Sequence, residues 1–413
     1  MKYLLGFSIL AIATGGLFLF LSQARILEII EPSASSTTAS LVVKNPDQDE
    51  PPQKPLSNPP SVIKAIYLTG WSAGNEDKIN YAIGLVKATE LNAVVIDVKD
   101  YSGYVLYDIK SAEVEKYKAK DAQISKINAL IKRLHDEGIY AIARISVFQD
   151  PVLAKARPDL AIKSKKSGGL WLDNKKLAWI DPAAKDAWDY NLAIAKDAAS
   201  RGFDEINFDY IRFASDGNLN DMIFPFYNNS STLKSRVIKD FFKHLRSELE
   251  GIKISADLFG LATVNNNDLG IGQIIEDAYA YFDYVCPMVY PSHYATQFLN
   301  FKNPAAYPYE VVKYSMDNAV RRLKNYELGI MNNATSTASS TEQIPNSSFI
   351  IHNSKLRPWL QDFDFGADYN ATMVRKEIQA VYDASSSTPE FVNGWMLWNP
   401  SNVYTRDALI TEQ

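Results

Sequence analysis

The sequence predicts a (β/α)8 barrel, and two observations support this fold class. From residue 62 onward, short apolar runs alternate with longer segments of helical period, which favours βα units and parallel strand pairing. Eight such runs occur over roughly 350 residues, a number and spacing that fit a barrel with loop insertions. A doubly wound open sheet is the alternative, but no glycine-rich dinucleotide turn follows the first strand.

The elements follow one another in a regular order. The predicted strands are residues 63–69, 93–98, 139–147, 203–213, 253–259, 284–290, 355–360 and 394–398. The predicted helices are residues 79–89, 121–137, 186–201, 232–250 and 308–326, and a flexible Asn/Ser/Thr-rich insertion is predicted over 331–348. Gly138, Gly202 and Gly251 are helix stops. Pro287 and Pro358 count against the sixth and seventh strands, because proline removes a donor from the ladder.

Composition excludes several classes of function. The net charge of −5 argues against nucleic-acid binding, which needs a basic face. The single cysteine, Cys286, excludes an intrachain disulfide framework and is predicted to be a small buried residue. With four histidines, a multi-histidine metal centre is hard to assemble, so we expect neither a metal nor an organic cofactor.

The N-terminus is predicted to be separate from the barrel. Residues 1–24 contain an apolar run about long enough to cross a membrane, and are predicted to be a signal peptide or a transmembrane anchor. An uncleaved anchor is favoured over cleavage after the Ser22-Gln23-Ala24 tripeptide, because the apolar run has no break. Lys2 would stay in the cytoplasm, so the chain is expected to be extracytoplasmic, as a single-pass membrane protein or a secreted one. Residues 25–61 are predicted to be a flexible linker and residues 62–413 the barrel domain.

Acidic side chains fall at the ends of the predicted strands. They are Asp97, Asp100, Asp209, Asp257 and Asp362. In a barrel these ends meet at one mouth, and carboxylates held together there ionise unequally, as glycoside cleavage requires. Asp209 is the first catalytic candidate, and its alternative is a loop cap or a pair with Arg212.

Strand phase adds further candidates. Asp97 and Lys99 share one face, which makes them candidates for binding substrate hydroxyls. Arg144 or Arg212 could supply the positive charge that keeps Asp209 ionised. The alternative is that Asp97 forms a buried ion pair with Lys99 or Arg144 that fills the barrel.

Aromatic and polar residues at the predicted mouth complete the candidate substrate site. Aromatic faces suit sugar rings, although large aromatics can also be packing residues. The remaining candidates for substrate binding are Trp71, Asp100, Arg144, Tyr210, Arg212, Tyr290, His293, Trp359, Gln361 and Trp398.

Six motifs resemble a bacterial family of TIM-barrel proteins that are glycoside-hydrolase-like and of uncharacterised activity. They are KAIYLTGWSAG at 64–74, DVKD at 97–100, FDYIRF at 208–213, CPMVYPSHY at 286–294, RPWLQDF at 357–363 and GWMLWN at 394–399. The resemblance covers about residues 63 to 404. It implies a barrel fold and a glycosidase-like activity. The chain departs from the family pattern at Ala214, where proline is usual.

A looser resemblance to α-amylase-type barrels implies individual roles. Asp209 would be the nucleophile, Asp257 the acid/base and Asp362 the stabiliser. The chain departs from that pattern with Asp257 in place of glutamate and Asn207 in place of arginine. The register of the seventh strand decides whether Asp362 or Gln361 enters the site. We expect Asp209 and Asp257 to lie near the separation of about 5 to 5.5 Å that is typical of retaining enzymes.

The sequence therefore predicts a glycoside hydrolase that acts on an extracytoplasmic poly- or oligosaccharide with paired carboxylates. Its partners would be the carbohydrate and, through the N-terminal helix, the membrane. A non-catalytic carbohydrate-binding barrel is the main alternative. A metal-dependent deacetylase or hydrolase is a third, which the placement of the histidines disfavours.

Overall fold

The computed structural model describes residues 48–337 and 353–411, with side chains described up to residue 329 in the long helix before the gap. Eight parallel strands form a closed barrel, because the first strand pairs with both the second and the eighth. Ile66 faces Val94 on one side and Leu397 on the other. The barrel strands are Ile63–Leu68, Ala93–Lys99, Tyr140–Ser146, Glu205–Asp209, Ile254–Phe259, Tyr284–Met288, Trp359–Gln361 and Gly394–Trp398. The predicted (β/α)8 barrel is confirmed.

The seventh strand is interrupted. The segment Lys355–Leu356 pairs with the sixth strand, the ladder breaks at Arg357 and Pro358, and Trp359–Gln361 resumes the pairing. Pro358, which lacks an N–H, lies in the gap. Pro287, in contrast, lies within the sixth strand, opposite Leu258 of the fifth.

Helices pack around the outside of the barrel. The longer ones are Glu76–Lys87, Ile127–Asp136, Lys185–Arg201, Lys234–Glu248, Pro308–Thr337 and Ala371–Ser385. The shorter ones are Gly70–Ala73, Ala112–Lys116, Pro151–Ala156 and Ile275–Tyr279. Single 3₁₀ turns occur at Leu219–Asp221, Gly260–Thr263, Pro291–His293, Phe298–Asn300, Pro304–Ala306, Pro389–Phe391 and Arg406–Ala408.

Two helix boundaries differ from the prediction by more than three residues. The helix predicted over 121–137 begins at Ile127, because Lys120–Ile124 is a strand that pairs with Val105–Tyr107 at an edge outside the barrel. The helix predicted to end at residue 326 continues to Thr337, so the predicted flexible insertion is helical over 331–337. The rest of that insertion lies outside the described residues. A small two-stranded sheet, Lys163–Ser164 with Met222–Ile223, lies apart from the barrel.

Polar side chains of the fourth strand form a row along the inside of the barrel. Glu205 lies lowest and accepts two hydrogen bonds of 2.9 Å from Arg357, which is fully buried. Asn207 lies in the middle and Asp209 at the end that opens to solvent. Ile206 and Phe208 point outward into the layer of apolar side chains between strands and helices. The strand therefore delivers a carboxylate to the barrel mouth, as its alternation predicts.

The second half of the predicted linker is bound to the barrel. Asp49 accepts hydrogen bonds of 3.0 Å from the N–H groups of Asn128 and Ala129, at the start of a helix. The N–H of Gln53 donates to the carbonyl of Arg201 at 3.0 Å. Next to it Gly202 has a φ of +105°, and a Cβ there would meet the Gln53 carbonyl at 2.6 Å. The folded unit thus begins before residue 62, because backbone groups on the barrel bind this segment.

Within the described ranges, no helix is long and apolar enough to span a membrane. The predicted signal peptide or anchor, residues 1–24, lies outside those ranges, as do residues 25–47 of the linker.

Candidate active site

A cavity of about 370 Å³ opens at the C-terminal ends of the barrel strands. We call it the mouth cavity. Its wall is formed by Arg144, Lys175, Asp209, Tyr210, Arg212, Phe259, Gly260, Leu261, Met288, Tyr290, His293, Tyr294 and Trp398. This is the end at which TIM-barrel enzymes carry their active sites.

Arg144 holds three carboxyl groups together at the floor of the mouth cavity. Its guanidinium donates to Asp97 at 2.5 Å and to Asp209, and its Nε lies 3.4 Å from Asp257. These acids come from the second, fourth and fifth strands and are all at least 95 % buried. The surrounding negative charge raises the pKa of Arg144, so it stays a cation. Of the five acids expected at one mouth, three are therefore brought together by one guanidinium.

Asp257 lies behind Asp209. One of its oxygens accepts hydrogen bonds from the Nδ2 of Asn207 at 2.9 Å and the indole Nε1 of Trp359 at 2.7 Å. Burial, and then the nearby Asp209 carboxylate, raise the pKa of Asp257 to about 8, against the partial compensation of Arg144. Asp257 is thus protonated at neutral pH. A protonated carboxyl group beside a second carboxyl group is the pattern of acid and base pairs in enzymes.

Asp97 is the third acid bound to Arg144. Its second oxygen accepts a 2.5 Å hydrogen bond from the hydroxyl of Tyr67. Burial raises the pKa of Asp97 to about 6, and the Arg144 charge opposes that rise. The alternative proposed from the sequence, a buried pair of Asp97 with Arg144, is present, and it is also one part of the acid cluster.

Asp209 is the carboxylate that reaches the cavity wall. Its Oδ1 accepts a 2.5 Å hydrogen bond from the N–H of Tyr210. Tyr210 has a φ of +53°, a left-handed conformation that is costly for a tyrosine. The backbone turns sharply just after the carboxylate, and the turn aims an N–H at it.

Aromatic side chains form one side of the mouth cavity. The rings of Trp398 and Tyr290 lie 5.8 Å apart, and that of Phe363 lies 5.1 Å from Trp398. The ring centres of His293 and Tyr290 lie 5.4 Å apart. The Nδ1 of His293 shares a 3.0 Å hydrogen bond with the hydroxyl of Ser292. Such a wall suits the apolar face of a sugar.

Several predicted binding residues lie away from the mouth cavity. Trp71 is 62 % exposed on a helix at the rim. Asp100 accepts hydrogen bonds from Ser102 in a turn. Trp359 is buried inside the barrel, where it contacts Asp257 rather than the cavity. The side chain of Gln361 is held by Ser292 and Phe363, so it ties two rim loops together.

Lys99 does not share a site with Asp97. The pairing of the second and third strands shifts register between these two residues, so the two-residue period fails there. Lys99 is fully buried and forms a 2.9 Å ion pair with Asp150 instead.

Asp362 is not placed as the stabiliser that the amylase resemblance implies. Its two oxygens accept hydrogen bonds from the hydroxyl and the N–H of Thr405, at 2.6 and 2.9 Å. It therefore anchors the loop that follows the eighth strand.

We expect Asp362→Ala to lower stability and to leave turnover nearly unchanged. The loss of two buried hydrogen bonds should cost about 1–3 kcal/mol of unfolding free energy. Urea denaturation measures this loss, and kcat/KM at a temperature where the variant is folded should stay within about twofold. A fall of a hundredfold in kcat/KM for a folded variant would restore the stabiliser assignment.

Two kinds of site residue were not predicted from the sequence. Tyr67 and Asn207 act on the acids from inside the barrel, and their positions on inward faces were readable from the period of the strands. Lys175 comes from a long loop between the third and fourth strands and carries no such signal. Among described residues, no group of three or more His, Cys, Asp or Glu side chains is arranged to hold a metal ion.

The closed barrel and the acid cluster at its mouth define a glycoside-hydrolase-like protein. The chain belongs to the family described as "Putative glycosyl hydrolase domain", whose model matches residues 65–404. The family resemblance drawn from the six motifs is confirmed. A search of curated proteins found no match.

Two solved structures share the fold, and a third is similar in sequence. The glycoside hydrolase domain of PgaB from Bordetella bronchiseptica is 15 % identical, with a TM-score of 0.57 over 86 % of this chain and 100 % of that one. A chitobiase from Flavobacterium johnsoniae is 12 % identical, with a TM-score of 0.51 over 85 % of this chain and 47 % of its own. A hypothetical protein from Ruminiclostridium thermocellum is 37 % identical over 50 % of this chain and 98 % of that one, with a TM-score of 0.44.

Proposed function

We propose that the chain is a glycoside hydrolase that cleaves an extracytoplasmic poly- or oligosaccharide with Asp209 and Asp257. One observation supports this most strongly: a single guanidinium, that of Arg144, gathers carboxyl groups from three strands at a sugar-sized cavity. The test is a hydrolysis screen of the purified full chain on a glycan panel, beside Asp209→Asn. Hydrolysis that the variant lacks would support the proposal, and its absence on every glycan would oppose it.

In this proposal Asp209 is the nucleophile. It lies on the cavity wall and accepts hydrogen bonds from Arg144 and from the N–H of Tyr210, which fix the position of its carboxylate. Asp257 and Asp209 contact the same guanidinium, which supports the short separation of retaining enzymes. We expect the first-formed product to keep its anomeric configuration, as proton NMR during early hydrolysis would show. An inverted first product would exclude Asp209 as nucleophile.

Asp257 is the proton donor in this proposal. Since its pKa is about 8, activity should fall roughly tenfold per pH unit above pH 8, as the carboxyl group loses its proton. Because Asp257 is 1 % exposed and absent from the cavity wall, Arg144 or Trp359 has to shift when substrate binds. A pH profile of kcat/KM for the full chain measures the basic limb.

The variant Asp257→Asn tests whether Asp257 causes the basic limb of the pH profile, the fall in activity above pH 8. Asp257→Asn should remove it, and should slow substrates with poor leaving groups far more than activated aryl glycosides, which need no proton donor. A basic limb that persists in Asp257→Asn would assign it to another group. Folding gives an independent check: the raised pKa stabilises the folded state at low pH, and this contribution is lost as pH rises through about 8.

A non-catalytic carbohydrate-binding barrel is the second candidate. Two observations favour it: Asp257 is sealed beneath Arg144, and Asp362 is bound to Thr405. In that case the wild-type chain would bind glycans without hydrolysing any of them, and Asp209→Asn would leave the affinity nearly unchanged.

The location and domain division are also proposals. The apolar residues 1–24 support export or a membrane anchor, and residues 25–47 would then connect it to the barrel. Fractionation of cells expressing the full chain, with protease added outside, would test whether the barrel is extracytoplasmic.

A further inference from the structure

A second arginine lines the mouth cavity without a carboxylate partner. Arg212 is 7 % exposed, and its Nη1 donates to the carbonyl of Phe213 at 3.0 Å and the hydroxyl of Ser215 at 3.2 Å. Within the described part of the chain, no acid lies within ion-pair distance of it, and its Nε and Nη2 donate to no side chain or carbonyl. Neither nitrogen is sealed from solvent, so these donors are available to a ligand at the cavity wall.

The guanidinium of Arg212 is held in place by aromatic rings. It lies 4.5 Å from the ring centre of Phe259, 4.8 Å from that of Trp179 and 5.4 Å from that of Tyr210. A fixed guanidinium plane with two adjacent free N–H donors matches a group that offers two oxygens, such as a carboxylate or a phosphate. The site is therefore built before any ligand arrives.

Lys175 adds a second positive charge to the same wall. Its side chain is exposed and, among the described residues, forms no ion pair. The carboxylate on this wall, Asp209, is already paired with Arg144. The part of the cavity beside Arg212 and Lys175 thus holds two cations, and among the described residues the acids that act on Arg212 electrostatically, Asp209, Asp216 and Asp173, lie beyond ion-pair distance.

We propose that the substrate carries an anionic group, a sugar carboxylate or a phosphate, which Arg212 binds through its two free donors and Lys175 through its charge. This inference rests on the proposed function, since it places the anion on the same sugar chain that Asp209 acts on. It identifies the substrate class as an acidic glycan and Arg212 as a specificity-determining residue. A role of Arg212 in keeping Asp209 ionised would instead affect neutral and acidic glycans alike.

Binding to the full chain tests the proposal in an Asp209→Asn background, which prevents consumption of the ligand. Calorimetry would compare hexuronate oligosaccharides, oligosaccharides bearing a sugar phosphate, and neutral oligosaccharides of equal length. We expect one acidic class to bind at least about tenfold more tightly than its neutral counterpart, since charge-assisted hydrogen bonds are the stronger kind. The arm that binds distinguishes carboxylate from phosphate.

Variants of Arg212 and Lys175 test whether these two side chains cause the tighter binding of acidic glycans. Arg212→Gln should weaken acidic binding about tenfold or more and neutral binding far less, and Arg212→Lys should recover only part of the acidic binding. Because Arg212 is buried, its substitution can also disturb folding, so Lys175→Gln at the surface gives a second readout. This variant should weaken the binding of acidic glycans about threefold or more. Lys176→Gln, on the exposed neighbour, is the matched control and should change nothing.

The outcomes separate this inference from the proposed function. Asp209-dependent hydrolysis together with an acidic-glycan affinity that Arg212→Gln leaves unchanged would overturn the anion site and keep the hydrolase. If acidic glycans bind through Arg212 but no glycan is hydrolysed, the anion site stands and the proposed hydrolase activity is excluded. Equal binding of acidic and neutral glycans, or no binding of either, would overturn the anion site.

Discussion

Asp209→Asn should reduce kcat/KM by at least about a thousandfold on any glycan that the wild-type chain hydrolyses, since the proposed nucleophile is removed. Asparagine has nearly the same shape and can still accept the hydrogen bond from the N–H of Tyr210. Glycan affinity should therefore change little, so the loss should appear in kcat. Initial rates across a range of substrate concentrations separate the two constants.

The control for this variant is an exposed carboxylate on the barrel rim, that of Asp364. Asp364 accepts a 2.7 Å hydrogen bond from the N–H of Tyr369 and lies outside the wall of the mouth cavity. Asp364→Asn should leave kcat/KM within about twofold. Azide added to Asp209→Ala gives a further check, because a small anion can take the place of a lost nucleophile but not of a lost binding group. Less than a tenfold loss in Asp209→Asn would contradict the nucleophile assignment.

The position of Asp209 could be predicted because several local signals agree. Gly202 ends a helix, an alternating strand follows, and Asp209 is its last inward residue. A parallel barrel places that end at the mouth, whatever the details of packing. The same reasoning placed Asp257 beside it, and the structure brings both acids to one guanidinium.

Register irregularities explain where the same reasoning failed. The two-residue period holds only while a ladder is regular, and the second strand shifts register between Asp97 and Lys99. In the seventh strand, the break at Pro358 interrupts the alternation of inward and outward side chains. The alternation before the break therefore does not show whether Gln361 or Asp362 points inward. A proline signals an interruption, but it does not give the direction of the side chains that follow.

The choice between Arg144 and Arg212 was also beyond the sequence. Both residues could reach the mouth, and which one pairs with Asp209 depends on which neighbours fill the space between strands. The structure gives Arg144 three acids and leaves Arg212 with none in ion-pair range among the described residues. The two arginines therefore differ in role, and they should differ in what their loss costs.

Loss of Arg144 should be the most destabilising single change at the site. Arg144→Gln leaves Asp97, Asp209 and Asp257 buried together without a cation. Breaking a buried ion pair from one side typically costs about 3–5 kcal/mol of unfolding free energy, because an uncompensated charge stays behind. Guanidinium chloride denaturation of the full chain measures the loss.

The pH dependence of that loss identifies its cause. Without the guanidinium, burial and mutual repulsion raise the pKa values of Asp97 and Asp257 further, so the folded variant takes up protons that the unfolded chain does not. The deficit relative to wild type should therefore be smallest near pH 5 and should grow as pH rises to 8. Arg157→Gln removes an arginine whose partners, Asp159 and Asp186, are well exposed, and this control should cost less than about 1 kcal/mol at either pH. If Arg144→Gln costs no more than Arg157→Gln, or costs the same at both pH values, the acids do not depend on Arg144 for their ionisation, and the unequal pair that hydrolysis needs loses its physical basis.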